Sequence, residues 1–154
     1  MNLGDILGPQ QILPEMKAAN RWEAIDELIA CLVAAGRIKP EHREAICSVV
    51  RKRETTMSTG IGFGIGIPHA SSDLISEVTG AFGRSKTGIT FDALDNQPVT
   101  LVMLFLVPQG QFQRHLHTLA DIAKLLHRPG LRRDLQEAVD GDTMLRLIRD
   151  NCSK

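Results

Sequence analysis

The chain has 154 residues, 43% of them apolar, and its 18 basic and 18 acidic residues give a formal net charge of zero. This length and apolar content predict one domain over residues 1–154 with a hydrophobic core of its own. The balanced charge gives no reason to expect nucleic acid or an anionic membrane as a partner.

Three sequence features bear on the cellular compartment of the protein. Residues 1–5 lack the basic and apolar regions of a signal peptide. The longest apolar run, 99–107, is far too short to span a bilayer. Cys31, Cys47 and Cys152 form no C-x-x-C pair, so we expect reduced thiols, the first two as small core residues. These features predict a cytoplasmic protein with no membrane insertion.

Two helices are predicted in the first third of the chain. Asn20 and Glu23 have the spacing of a capping box, and an apolar helical stripe follows them to about Gly36. Pro40 then begins a second helix that runs to about residue 53 or 54. Arg53 would lie at the end of this helix, where the helix dipole favours a cation, so it could be a plain surface arginine.

The segment 58–70 alternates apolar residues with glycine and ends in a Pro-His pair. In an extended segment the apolar residues share one face, and we expect that face to be buried. They are Ile61, Phe63, Ile65 and Ile67. The glycines leave the other face bare, which indicates either special backbone geometry or a ligand against exposed N–H groups. The restricted backbone of a proline would fix the orientation of the histidine after it.

The same segment could instead be a glycine-rich turn with a space-filling histidine, a dinucleotide fingerprint or a phosphate loop. The G-x-G-x-x-G spacing that opens a helix is absent, because the glycines alternate strictly and Pro68 follows them. No Gly-Lys-Ser/Thr sequence is present for a Walker-type loop. The glycine-rich turn therefore stays open as the competing interpretation, with His69 merely filling space.

The middle of the chain predicts strands and its end predicts helices. A short strand is expected over 78–83, a turn-containing connection over 91–97 and a central strand over 99–107, covered on both faces. Helices follow at about 113–126, 131–139 and 142–149, with Asp142 as the N-cap of the last. This order favours an α/β fold in three layers, a mixed sheet with helices on both faces.

His115 and His117 lie on the helix predicted over 113–126. Successive residues turn by about 100°, so the two side chains are about 200° apart and cannot share one metal ion on a helix. The apolar stripe, which we expect to include Leu116, places His115 toward the buried side and His117 on the polar side. A histidine on an apolar face is more often a core residue than a functional one, and the spacing alone leaves both possibilities open.

Several separated motifs together resemble a known family. They are Arg53-Glu54, residues 58–62, Ile67-Pro68-His69, residues 91–99, Leu106-Val107-Pro108 and residues 115–119. Their order is similar to that of enzyme IIA domains of the fructose/mannitol type, from the phosphoenolpyruvate-dependent phosphotransferase system. Within that family the chain most resembles the nitrogen-regulatory branch. The resemblance runs from about residue 3 to about residue 148 and implies the same three-layer α/β fold.

The resemblance implies a phosphocarrier. His69 would accept a phosphoryl group on its Nε2 (tele) nitrogen from a phosphorylated HPr-like protein, and His115 would be the family's second active-site histidine. Arg53 and the backbone N–H groups of Gly64, Gly66 and Ala70 are candidates to support the phosphoryl group.

No metal, nucleotide or other cofactor is required for this chemistry. The group would pass to an enzyme IIB partner or remain as a regulatory mark for target proteins. The alternatives are the IIA component of a fructose/mannitol-type uptake system and a binding module that is never phosphorylated.

Overall fold

A computed structural model describes residues 2–152 of the chain. The two ends of the predicted 1–154 domain, residue 1 and residues 153–154, lie outside it. The helices are α1 (Leu3–Ile6), α2 (Arg21–Ala34), α3 (Arg43–Thr56), α4 (Leu116–Leu126), α5 (Pro129–Glu137) and α6 (Gly141–Cys152). The strands are β1 (Ile12–Leu13), β2 (Gly60–Gly62), β3 (Ile65–Gly66), β4 (His69–Ser72), β5 (Thr79–Ile89) and β6 (Val99–Pro108). Among the described residues no helix is long and apolar enough to cross a membrane.

The six strands form one mixed sheet in the order β1-β5-β6-β3-β2, and β4 also pairs with β6. The long strands β5 and β6 are antiparallel, whereas β3 and β4 run parallel to β6. Because β3 pairs with Leu101 and Val102 and β4 with residues 105–108, β4 continues along β6 where β3 ends. The glycine segment and the histidine therefore flank the same central strand at successive levels.

The two faces of the sheet are covered by different helices. Alternate residues of β6, such as Val102 and Leu104, belong to the core that the sheet forms with α2 and α3. The residues between them, such as Met103 and Phe105, belong to the core formed with α1, α4, α5 and α6. This confirms the predicted three-layer α/β arrangement, and β6 is the central strand covered on both faces.

Helix caps differ in detail from the predictions. The Asn20 side chain caps α2 by accepting from the backbone N of Glu23 at 3.0 Å, but the Glu23 carboxylate accepts from Ala19 rather than closing a capping box. Asp140, not Asp142, caps α6, because its Oδ1 accepts from the backbone N of Thr143 at 2.8 Å. Two aspartates two residues apart both fit an N-cap pattern, and only the backbone path distinguishes them.

The strand predicted over 78–83 extends to Ile89 as part of β5. Its apolar pattern stops at Arg84, which is nevertheless only 2% exposed. The Arg84 guanidinium is satisfied by backbone carbonyls, donating to Pro14 at 3.0 Å and, at the end of α5, to Leu135 at 2.9 Å. A buried cation held by carbonyls at a helix end is electrostatically favourable, but a sequence pattern cannot reveal it.

The cysteines are free thiols in the described structure. Cys31 is buried, as predicted. Cys47 is only half-buried, packed against the core of α2 and α3, and burial raises the pKa of its thiol to about 11. At such a pKa the thiol stays protonated near neutral pH.

The glycine segment is a hairpin and not one extended strand, so that prediction is wrong. Antiparallel β2 and β3 turn at Phe63 and Gly64, both with positive φ angles, 57° and 78°. A two-residue hairpin turn of the favoured type I′ requires positive φ at both positions. The turn carries Phe63 out of the predicted buried face, and its side chain is 66% exposed, beside His127 and under the guanidinium of Arg132.

The bare glycine face is covered by the chain itself. A Cβ at Gly60 would lie 2.7 Å from the Cβ of Ala93, and a Cβ at Gly66 would lie 3.0 Å from two ring carbons of Phe91. A side chain at Gly60 would force residue 93 to shift, and one at Gly66 would press on the Phe91 ring. The predicted close approach therefore exists, but it is made by residues 91–93 and not by a ligand.

Candidate active site

His69 is the first residue of β4, at the edge of the sheet. Its neighbour Ala70 packs into the core of α2 and α3, so the His69 side chain points to the opposite face, which carries α4. The carbonyl of Pro68 accepts from the backbone N of Phe105 at 2.9 Å, which ties the Pro-His pair to β6. The imidazole is half-buried at this anchored position.

The tautomer of His69 follows from its hydrogen bond. Nδ1 lies 2.8 Å from the backbone carbonyl oxygen of Ile67. Since a carbonyl only accepts, Nδ1 carries the proton of the neutral ring and Nε2 keeps a free lone pair. Burial lowers the pKa of His69 below 6.5, with a smaller contribution from the charge of Arg53, and the bond to Ile67 opposes the shift. The ring is therefore a neutral nucleophile near pH 7.

His69 and Arg53 line one open cavity of about 440 Å³ at the edge of the sheet, where β4, the end of α3 and the turn before α4 meet. Its lining residues are Val49, Lys52, Arg53, Thr56, His69, Ala70, Ser71 and Phe112. Arg53 lies in the last turn of α3, as predicted, and its Nη1 donates to the carbonyl of Met57 at 3.2 Å. The structure thus brings together two predicted site residues that are 16 positions apart, with Lys52 as a second nearby cation.

His115 and His117 differ in burial, as the helix phase predicted. His115 is half-buried at the N-cap of α4, whereas the His117 side chain is 88% exposed, with its Nε2 3.4 Å from the Asp121 carboxylate. His115 is not among the residues that line the cavity. Leu116 was expected on the buried side and is 47% exposed, because it begins α4 about 120° around the axis from the buried Ile122.

The backbone groups predicted to support a phosphoryl group lie at different levels of the sheet. Gly66 pairs with Val102 and His69 with Phe105, so they are about 10 Å apart along the strand. Gly64 lies further still, and its carbonyl accepts from the first residues of β6. Ala70 lines the cavity beside His69. The register therefore favours Ala70 over Gly64 and Gly66 as part of the site.

The alternating direction of backbone groups along β4 shows which N–H in this strand could face a phosphoryl group. The carbonyls of Pro68 and Ser72 both bond to the chain of β6 and the residue that follows it. Backbone groups alternate in direction along a strand, so the N–H of Ala70 also faces β6, and that of Ser71 faces the free edge. Ser71 lines the cavity and was not a predicted site residue.

Phe112 was also not predicted as a site residue, yet its ring stacks on His69 with centroids 5.5 Å apart and planes at 15°. Phe112 lies in the turn between β6 and α4. No periodic pattern extends through this turn, so nothing in the spacing distinguished Phe112 from a loop residue.

A buried carboxylate next to Arg53 holds the end of α3. Glu54 is 1% exposed and accepts from the backbone N and the Oγ1 of Thr59 at 2.8 and 2.6 Å, and from Arg21 at 3.4 Å. These bonds fasten the helix end that carries Arg53 to the start of the hairpin. Glu54 belongs to the Arg53-Glu54 motif, but its burial was not visible in the sequence.

The described residues contain no group of three or more His, Cys, Asp or Glu side chains that could hold a metal ion. The functional groups that converge at the cavity are instead a neutral imidazole with a free Nε2, two cations and one aromatic ring. A nucleophile beside two cations suits the transfer of an anionic group.

The sequence and the fold of this chain are similar to those of several known proteins. The fructose-specific EIIA component of the phosphotransferase system from Haloferax volcanii is 39% identical over 130 residues, covering 84% of this chain and 83% of that protein. A nitrogen regulatory protein from Bradyrhizobium diazoefficiens is 32% identical over 148 residues, covering 96% and 95%. The crystal structure of the nitrogen regulatory protein IIA-Ntr from Neisseria meningitidis has a TM-score of 0.85 and 26% identity, covering 95% of this chain and 98% of that one.

The family model described as the phosphoenolpyruvate-dependent sugar phosphotransferase system, EIIA 2, matches residues 5–151. The match spans nearly all of the described fold and includes both His69 and Arg53. The chain therefore belongs to the EIIA 2 family of the phosphoenolpyruvate-dependent sugar phosphotransferase system, a family of phosphoryl-transfer proteins.

Proposed function

We propose that this protein is a phosphocarrier in which Nε2 of His69 accepts a phosphoryl group from a phosphorylated HPr-like protein. The observation that carries the proposal is the hydrogen bond from Nδ1 of His69 to the Ile67 carbonyl. It leaves Nε2 as the nucleophilic nitrogen, in a cavity that Arg53 also lines. A neutral imidazole needs no separate base to act as a nucleophile near pH 7.

The transfer is a direct exchange of one N–P bond for another. The Nε2 lone pair attacks the phosphorus of a donor phosphohistidine whose other ring nitrogen is protonated. The breaking bond leaves its electron pair on the donor nitrogen, so the donor departs as a neutral imidazole and the positive charge passes to the phosphorylated ring of His69. The proton on Nδ1 stays in place, because it remains bonded to Ile67. No proton has to move, so the protein's task is alignment and neutralisation of phosphoryl charge.

Arg53 supplies the main positive charge in this proposal. Its guanidinium can donate two parallel hydrogen bonds to phosphoryl oxygens, which a lysine cannot do. His115, on the same side of the sheet as His69, would contribute a ring N–H once the phosphoryl group and the donor occupy the cavity. The backbone N–H at the free edge of β4, that of Ser71, complements them.

The relatives divide between two roles for such a carrier. The nitrogen regulatory protein from B. diazoefficiens covers almost the whole chain, and IIA-Ntr shares its fold closely. We therefore favour a regulatory phosphoprotein of the nitrogen-type phosphotransferase system, acting in the cytoplasm on target proteins. The fructose-specific relative supports the second candidate, a IIA component that passes the group to an enzyme IIB for sugar uptake.

The decisive experiment is incubation with phosphoenolpyruvate, enzyme I and HPr-type carriers, followed by intact mass. We expect one phosphoryl group, labile in acid and stable in base. The His69→Ala variant should fold normally and incorporate none, whereas the His117→Ala control should incorporate one. Full labelling of His69→Ala would refute the assignment, and no labelling of the natural protein would favour an unphosphorylated binding module. Subsequent transfer to an enzyme IIB domain would favour the uptake role.

A further inference from the structure

Backbone hydrogen bonds and packing place Phe112 beside His69. The backbone N of Gln109 donates to the Ser72 carbonyl at 3.0 Å, which ties the turn after β6 to the end of β4. The backbone N of His115 donates to the Phe112 carbonyl at 3.0 Å. The Phe112 side chain packs, partly buried, against the core on the α4 face of the sheet. The phenyl ring therefore has a defined position relative to the imidazole.

The two contacts of the His69 ring restrain it in complementary ways. The Nδ1 bond to the Ile67 carbonyl acts in the plane of the imidazole and fixes which edge faces the cavity. The phenyl ring lies nearly parallel to the imidazole, offset with its centroid 5.5 Å away, and covers part of one face, so it limits tilting toward that side. The Nε2 lone pair also lies in the ring plane. The offset phenyl ring therefore leaves this nitrogen open to react while keeping water from part of one face.

We propose that Phe112 is a positioning residue for phosphoryl transfer at His69, aiming Nε2 into the cavity and shielding part of one face of the phosphohistidine from water. This inference rests on the proposed function of His69 as the phosphoryl acceptor. It requires an aromatic ring at position 112, because an aliphatic side chain can fill the volume but cannot lie flat along the imidazole. The phosphoryl group would then be retained for a partner rather than lost to hydrolysis.

The first test uses the unphosphorylated protein. The His69 ring is followed by NMR titration in the natural protein and in Phe112→Tyr, Phe112→Leu and Phe112→Ala. Removing the stacked ring should raise the pKa of His69 toward its ordinary value, since burial is the largest cause of its lowering. Tyrosine should preserve the natural pKa. The matched control, Leu116→Ala, removes an exposed apolar side chain four residues along the chain and should leave His69 unchanged.

The second test measures phosphohistidine lifetime and the rate of transfer, with phosphoramidate as a small-molecule donor so that no partner is needed for loading. Lifetime and rate should each fall by about two- to tenfold in Phe112→Ala, and also in Phe112→Leu, which preserves most of the packing. Phe112→Tyr should restore both.

The outcomes separate the two proposals. A folded Phe112→Leu with natural lifetime, transfer rate and His69 titration would overturn the role of Phe112 and leave the phosphocarrier intact. Equal losses in Phe112→Tyr and Phe112→Leu would also overturn it, because the aromatic ring would then not be the cause. A natural protein that is never phosphorylated would instead overturn the proposed function of His69, while the NMR titration would still show whether Phe112 sets its environment.

Discussion

Residues 60–72 divide into a hairpin half, β2 and β3, and a strand half, β4, and the two halves have different roles. In the hairpin half, β2 and β3, the glycines let residues 91–93 pack directly on the backbone. In the strand half, β4, the side chain of His69 is displayed toward a cavity of about 440 Å³. Both halves pair with β6, the hairpin half through β3 and the strand half through β4. Along β6, Gly66 and His69 are about 10 Å apart. The glycines of the hairpin half therefore allow close packing, whereas Pro68 and the edge strand β4 position His69 at the cavity.

This difference shows why a bare backbone face is weak evidence for a ligand. A missing Cβ permits close approach, but the partner can be another segment of the same chain. Here the partner is the connection between β5 and β6, in which Leu94 also donates its backbone N–H to the Gly60 carbonyl at 3.3 Å. Substitutions in the hairpin half should therefore change stability, and substitutions around β4 should change phosphoryl transfer.

Arg53 provides the largest expected effect on the β4 side. Arg53→Ala should slow transfer to His69 by tens to several hundred-fold, about 2 to 4 kcal/mol, by removing a charge-assisted contact in the transition state. Arg53→Lys should be slower than the natural protein although it keeps the charge. Single-turnover transfer measures both. Arg51→Lys, an exposed change on α3 outside the cavity lining, is the control and should be unaffected.

The two histidines at the start of α4 give the next largest effect. His115→Ala should slow transfer by about tenfold or more, because a donor to a charged phosphoryl oxygen is lost. His117→Ala should change rate and stability by no more than about 0.5 kcal/mol, as is usual for an exposed side chain. The same single-turnover assay applies to both. A severe defect in His117→Ala with a normal His115→Ala would mean that the site is built on the wrong face of α4.

Gly60→Ala tests the hairpin half. Its Cβ would lie 2.7 Å from that of Ala93, so the free energy of unfolding should fall by about 1 to 3 kcal/mol, with little change in transfer rate once the protein is folded. Denaturant unfolding measures the loss. Gly130→Ala is the control, because a Cβ there meets nothing within 4 Å. If Gly60→Ala slowed phosphoryl transfer without lowering the free energy of unfolding, the assignment of stability to the hairpin half and of transfer to the strand half would be wrong.

The smallest expected effect is a dependence of stability on pH. Because folding lowers the pKa of His69 below 6.5, the unfolded chain binds the proton more readily. The contribution of the neutral His69 ring to the free energy of unfolding is fully present above the pKa that His69 has in the unfolded chain. It is lost as the pH falls through the lower pKa of the folded state. Lowering the pH from about 7.5 to about 5 should therefore destabilise the natural protein more than His69→Gln, which does not titrate, as thermal unfolding would measure. Equal pH dependence of the two proteins would contradict the burial of this imidazole.

The layered architecture and the identity of most candidate site residues could be predicted from the sequence. Hydrophobic periodicity marks which face of each helix and strand is buried, and it was sufficient for α2, α3, β6 and the three layers. The ordered motifs pointed to His69 and Arg53, and the structure brings them to one cavity. The burial pattern is local and a single chain displays it directly, whereas the roles expected of His69 and Arg53 came from the resemblance of those motifs to a known family.

What fills the space around those residues depends on the tertiary structure. The turn at Phe63, the packing of residues 91–93 on the glycines, the burial of Glu54 and the stacking of Phe112 on His69 all follow from how separate segments meet. Periodicity assigns a residue to a face but not to a partner, because the partner is set by strand register and by the path of the connections. The candidate nucleophile and its cation were therefore visible in the sequence, whereas the groups that hold His69 in position became visible only in the fold.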